Sequence, residues 1–178
     1  MTSPANTLVL GLGNPILTDD GVGVRVAQAV ESLLPPDSMV EVSEASVGGL
    51  GLMERLLGYE RVILIDALYS KTNIPGTVHR LTLDDLQAIS PTQHSVSAHD
   101  TNLNTALNMA GRMGLSLPKE IIIYGIEVEN IIDFSDEPTP AVKRAIPEVT
   151  VAVLKELSGF NGLGELKKLD SRITHSTP

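Results

Sequence analysis

The sequence predicts a doubly wound α/β domain, and three observations lead there. Apolar runs alternate with stretches whose apolar residues recur at helical spacing, giving a β-α-β-α order. Two of the runs, Val62–Ile65 and Ile121–Ile126, are rich in aliphatic residues, the pattern of parallel strands covered on both faces. Aromatic residues make up only 3% of the chain and Trp is absent, so Val, Ile, Leu and Ala must fill the core.

Thr7–Leu12 is a short apolar strand that breaks at Gly11 and Gly13 and runs into Asn14-Pro15, a turn signal. After Thr18-Asp19-Asp20-Gly21, the residues Val22, Val26, Ala29, Val30 and Leu33 mark a helix that Pro35-Pro36 ends. Met39–Val42 is expected as a second strand, Ser43–Gly49 as a small-residue loop and Leu50–Leu57 as a short helix. Arg61–Ala67 is a buried strand with Asp66 at its carboxyl end. Leu68 to Gly76 is too short for a crossover helix, so the alternating strand Thr77–Leu83 is expected antiparallel to its neighbour. Asp84–Ile89 predicts a helical turn, and Pro91–Ala98 a polar loop. His99–Met113 predicts a helix with Leu103, Ala106, Leu107 and Ala110 on one face. Glu120–Val128 is another buried strand, Asn130–Pro140 a loop and Ala141–Leu157 the last long helix. One domain is expected over residues 1–158, followed by a loosely held polar tail, 159–178.

The 178 residues suit one domain, and 42% hydrophobic with 20% charged residues excludes disorder along the whole chain. Thirteen basic against 22 acidic residues give a net charge of -9. That field repels phosphate backbones and anionic lipid, so neither nucleic acid nor a membrane surface is expected as partner. A basic peptide tail or a metal cation suits it better, although solubility alone would explain the same charge. The absence of Cys excludes disulfides, thiolate metal sites and cysteine nucleophiles. Met1–Asn6 lacks the pattern of a secretory signal and no apolar run has the length of a membrane span, so a cytoplasmic location is expected.

Gly11-Leu12-Gly13-Asn14-Pro15-Ile16 lies in a strand-to-helix turn and must be weighed as a dinucleotide fingerprint. The third glycine is replaced by Ile16, a bulky side chain where helix and strand should approach, although Glu41 or Glu44 could pass for the ribose acid. The more informative set is Asp20, Asp66 and His99. Open α/β sheets place their sites beyond the carboxyl ends of the parallel strands. Asp66 lies at such an end, Asp20 lies in the loop after the first strand, and His99 opens a helix on the same edge. Two carboxylates and an imidazole in one solvent-reachable cleft could hold nickel or zinc with positions left open. Each also has a plainer reading: Asp20 as a helix N-cap, Asp66 in an Asx turn, His99 as a helix-start residue beside Asp100. His94 is the reserve ligand, His79 reads as a strand-face residue, and His175 sits in the tail.

Leu8–Gly23, Leu-Val-Leu-Gly-Leu-Gly-Asn-Pro-Ile-Leu-Thr-Asp-Asp-Gly-Val-Gly, resembles the opening signature of the nickel–iron hydrogenase maturation endopeptidases. Val62–Ser70, Val-Ile-Leu-Ile-Asp-Ala-Leu-Tyr-Ser, resembles their second block, and His99-Asp100 with the helix behind it resembles their third. The resemblance spans most of Leu8–Leu157. It implies a twisted, mostly parallel five-stranded sheet flanked by helices, and nickel ligation and catalysis by Asp20, Asp66 and His99. Asp20 is the shorter of the two acids the family permits at its position. The implied substrate is a hydrogenase large-subunit precursor whose C-terminal extension is cut off. Nickel would come with that precursor, so the resting enzyme, expected to be a monomer, would be metal-free. Ser43–Gly49 departs from the Asp-Gly-Gly-Thr-like stretch of many relatives, and no role is assigned to Ser46 or Gly48. A nucleotide-binding protein and a non-catalytic nickel or precursor chaperone remain as alternatives.

Overall fold

A computed structural model describes residues 7–46, 49–69, 74–85 and 107–161. Five strands, β1 (Thr7–Leu12), β2 (Val40–Ala45), β3 (Arg61–Leu68), β4 (Val78–Thr82) and β5 (Glu120–Glu127), form one sheet in the order β2-β1-β3-β5-β4. All neighbours are parallel except β4, which runs antiparallel to β5. The expected mostly parallel sheet with one antiparallel strand is therefore the observed one. The neighbour of β4 is β5, since both sides of β3 are already taken by β1 and β5.

Strand alternation divides the core into two layers. Val9, Ile63, Ile65, Ile122 and Ile126 face helices α1 (Val22–Leu33) and α3 (Pro140–Asn161), whose Val22, Val26, Val30, Val142, Val149 and Val153 meet them. Leu8, Leu10, Leu12, Val62, Leu64 and Ile123 pack on the other face with Leu52 and Leu56 of helix α2 (Gly49–Leu56) and with Leu107. Leu107 starts a described helical segment, residues 107–112, within the predicted helix. The rest of that helix, with His99, and most of the turn expected at Asp84–Ile89 lie outside the described residues.

Several boundaries differ from the sequence reading. Strand β2 takes in Ser43, Glu44 and Ala45 because β1 offers ladder partners as far as Leu12, opposite Ala45. Strand β3 continues to Leu68 because β5 runs beside it to Glu127. Helix α3 runs from Pro140 through Asn161, past the end expected at Leu157.

The first turn of α1 lies directly on the sheet. A Cβ on Gly23 would sit 2.2 Å from the Ile65 carbonyl oxygen and 2.4 Å from that of Leu12. A Cβ on Gly11 would sit 2.4 Å from the Gly23 carbonyl oxygen. The close approach of helix and strand is thus made by Gly11 and Gly23. Ile16 is not at that contact, as the fingerprint spacing implied: it is 58% exposed in the loop ahead of the helix.

Candidate active site

The loop from Gly13 to Gly21 lies at the carboxyl end of β1, and its closure fixes Asp20. Gly13 has φ of 126°, and a Cβ there would lie 1.9 Å from the Asp20 carbonyl oxygen, so the turn accepts only glycine. The Asn14 N–H donates to Asp20 Oδ2 at 2.6 Å, closing a seven-residue ring of chain from Asn14 to Asp20. Ser46 Oγ donates to the Gly13 carbonyl at 2.8 Å, tying the end of β2 to the same turn. The N-cap of α1 is Gly21, with no side-chain cap, so the reading of Asp20 as an N-cap is excluded. Asp20 is half-buried and, among the described residues, makes no other side-chain bond.

Asp66 lies on β3 opposite Gly125 of β5, two residues before the strand ends. A strand that continues to Leu68 excludes the Asx-turn reading. Its Oδ1 accepts the Ala67 N–H at 2.9 Å. At 2% exposure Asp66 is buried, where the sequence led to the expectation of a carboxylate open to solvent. The contact of Gly23 with the carbonyls of Leu12 and Ile65 brings the start of α1, three residues after Asp20, over the residue preceding Asp66. Both acids therefore belong to one edge of the sheet. His99 and the reserve ligand His94 lie outside the described residues. Among the described residues no three His, Cys, Asp or Glu gather as a metal site.

Asp19, the neighbour the sequence reading passed over, has a different job. Its carboxylate is fully buried and accepts the N–H groups of Asn130 at 3.0 Å and Thr139 at 2.7 Å. It also accepts the Thr139 hydroxyl at 3.1 Å and, at 3.3 Å, the Glu129 N–H. A buried carboxylate survives only with such partners. No signal beside Asp19 in the chain pointed to these partners, which lie 110 to 120 positions away.

A second pairing also escaped sequence reasoning. His79 of β4 and Gly125 are register partners, which puts His79 on the Asp66 face of the sheet. Its Nε2 lies 3.2 Å from Oε1 of the buried Glu127. The strand-face position expected for His79 is therefore correct.

The model of the HycI family, described as hydrogenase maturation protease, matches residues 24–156, a stretch that holds Asp66 and begins just after Asp20. Hydrogenase 2 maturation protease of Escherichia coli is 31% identical over 154 residues, covering 84% of this chain and 89% of that protein. Hydrogenase expression/formation protein HupD of Thiocapsa roseopersicina is 27% identical over 174 residues, 97% of this chain and 76% of its own length. The solved hydrogenase maturating endopeptidase HybD from E. coli aligns with a TM-score of 0.73 at 30% identity, covering 86% of this chain and 93% of that one.

Proposed function

The chain belongs to the hydrogenase maturation protease family, and on that premise we propose that it is the endopeptidase that removes the C-terminal extension of a nickel-loaded hydrogenase large-subunit precursor. The observation that carries the reading is the placement of Asp20 and Asp66 at the carboxyl ends of adjacent parallel strands, neither of them used as a helix cap or turn. Asp20 accepts the Asn14 N–H and Asp66 accepts the Ala67 N–H, backbone contacts that fix both carboxylates at this edge.

In this reading Asp20, Asp66 and His99 engage nickel carried by the precursor. The donor set fits: carboxylate and imidazole suit a borderline divalent cation, and the chain has no thiolate to compete. Bound nickel supplies polarisation of the scissile carbonyl or activation of water. The protein's own contribution is to hold the extension beside the metal, so that positioning carries much of the rate.

The test is incubation with purified nickel-loaded precursor, followed by mass measurement. Loss of the extension supports the reading. Tight binding without cleavage would instead favour the chaperone, and micromolar affinity for NAD or ATP the nucleotide-binding protein.

A further inference from the structure

Two loops meet at the edge that holds Asp20, residues 13–21 and 129–139, and they are strapped together. Leu17 and Phe134 form an antiparallel bridge, Thr18 N–H and Oγ1 both donate to the Asp133 carbonyl (2.9 and 2.8 Å), and the buried Asp19 carboxylate braces the second loop. So braced, the loops still present Ile16, Ile132 and Phe134 to solvent at 58%, 80% and 76% exposure. These are three of the seven large hydrophobics exposed among the described residues, and Phe134 is one of only two phenylalanines in the chain. Scattered exposed apolar residues need no explanation, but a rigid concentration of them beside a candidate site does.

The charges say what covers it. The loops carry Asp19, Asp20, Glu129, Asp133, Asp136 and Glu137 and no Lys or Arg. Lys143 pairs with Glu137, Arg25 of α1 donates to the Asp136 carbonyl at 2.6 Å, and Asp133 accepts from Asn130 at 2.9 Å. Glu129 and Asp136 are exposed and, among the described residues, make no side-chain bond. A second copy of this chain would bring the same acids face to face, within a molecule of net charge -9.

We propose that the strapped loops are a docking platform for the precursor, taking a segment that carries apolar side chains flanked by Lys or Arg. The apolar groups seat on Ile132 and Phe134, the basic groups face Glu129 and Asp136, and the neighbouring extension is delivered to Asp20. The platform rests on the protease reading above and adds to it the chemistry of the partner's contact.

The test uses the full chain, nickel-loaded precursor, and two variants of exposed residues: Ile132→Ser with Phe134→Ser, and Glu129→Lys with Asp136→Lys. For both, KM for processing and the Kd for precursor measured by interferometry should rise about tenfold, with kcat within about twofold. The charge variant should also lose most of the salt dependence of association. Unchanged KM and Kd in both variants overturn the platform while leaving the protease reading intact. A wild-type protein that binds precursor through these residues but never cuts it overturns the protease reading and keeps the platform. Sedimentation is the remaining arm: a wild-type dimer that the Ile132→Ser, Phe134→Ser variant dissolves shows that a second copy covers the face, and overturns the proposal.

Discussion

Adjacent carboxylates in this chain divide the labour. Asp19 holds two loops together from a fully buried position, while Asp20 faces the edge where cleavage is proposed. Asp19→Ala leaves the N–H groups of Asn130 and Thr139 without their acceptor and should destabilise the fold by about 3 kcal/mol in urea titration. Asp20→Ala should stay within about 1 kcal/mol of wild type yet slow processing by roughly 100-fold or more, as loss of a metal-engaging group demands. The isosteric Asp66→Asn should slow processing to a similar degree, and normal processing by either variant would remove that acid from the site. Of the candidate site, the positions of Asp20 and Asp66 at loop and strand ends were legible in the sequence. Two things were not legible. The partners of Asp19 lie more than a hundred residues away, and the burial of Asp66 depends on packing across strands rather than on its neighbours in the chain.

Among elements, the heaviest constraint is the seat of α1 on β1 and β3. Gly23→Val would drive side-chain atoms into the Ile65 and Leu12 carbonyls and should cost about 3 kcal/mol, read from the urea midpoint. A Gly23→Val protein as stable as wild type would show that the helix can slide off its seat. At the opposite end of the sheet Glu156 of α3 staples three strands. It accepts from Arg80 of β4 at 2.6 Å, Arg61 of β3 at 3.0 Å and the Tyr124 hydroxyl of β5 at 3.2 Å. The Arg80 hydrogen bond, against some loss of solvation, holds the Glu156 carboxyl below its ordinary 4.5, and burial beside Glu156 pushes the Tyr124 hydroxyl up. A depressed carboxyl pKa stabilises the fold above its unfolded value and loses that contribution as pH falls through the folded one. The Tm gap between wild type and Arg80→Ala should therefore be full at pH 7 and close as pH falls below the ordinary carboxyl value of 4.5. A gap that persists in acid would mean that Arg80 acts through packing alone. The strands themselves were readable from their Val, Ile and Leu runs. Their ends were not, because β2 and β3 stop where a neighbouring strand stops offering partners.

For the molecule as a whole, no helix among the described residues is long and apolar enough to cross a membrane. Precursor prepared without nickel should stay uncut by wild type, and thiol-directed reagents should find no residue of the protease to modify. Both follow by mass measurement, and cleavage of nickel-free precursor would refute the metal-triggered reading. The bracing of loop 13–21 also has a consequence in time. Asp19 and the groups it binds are separated by 110 to 120 positions. During synthesis the first loop emerges long before Asn130 and Thr139 exist, and until then the Asp19 carboxylate lacks the partners that brace it. The edge that carries Asp20 therefore takes its braced form only once residue 139 has been made.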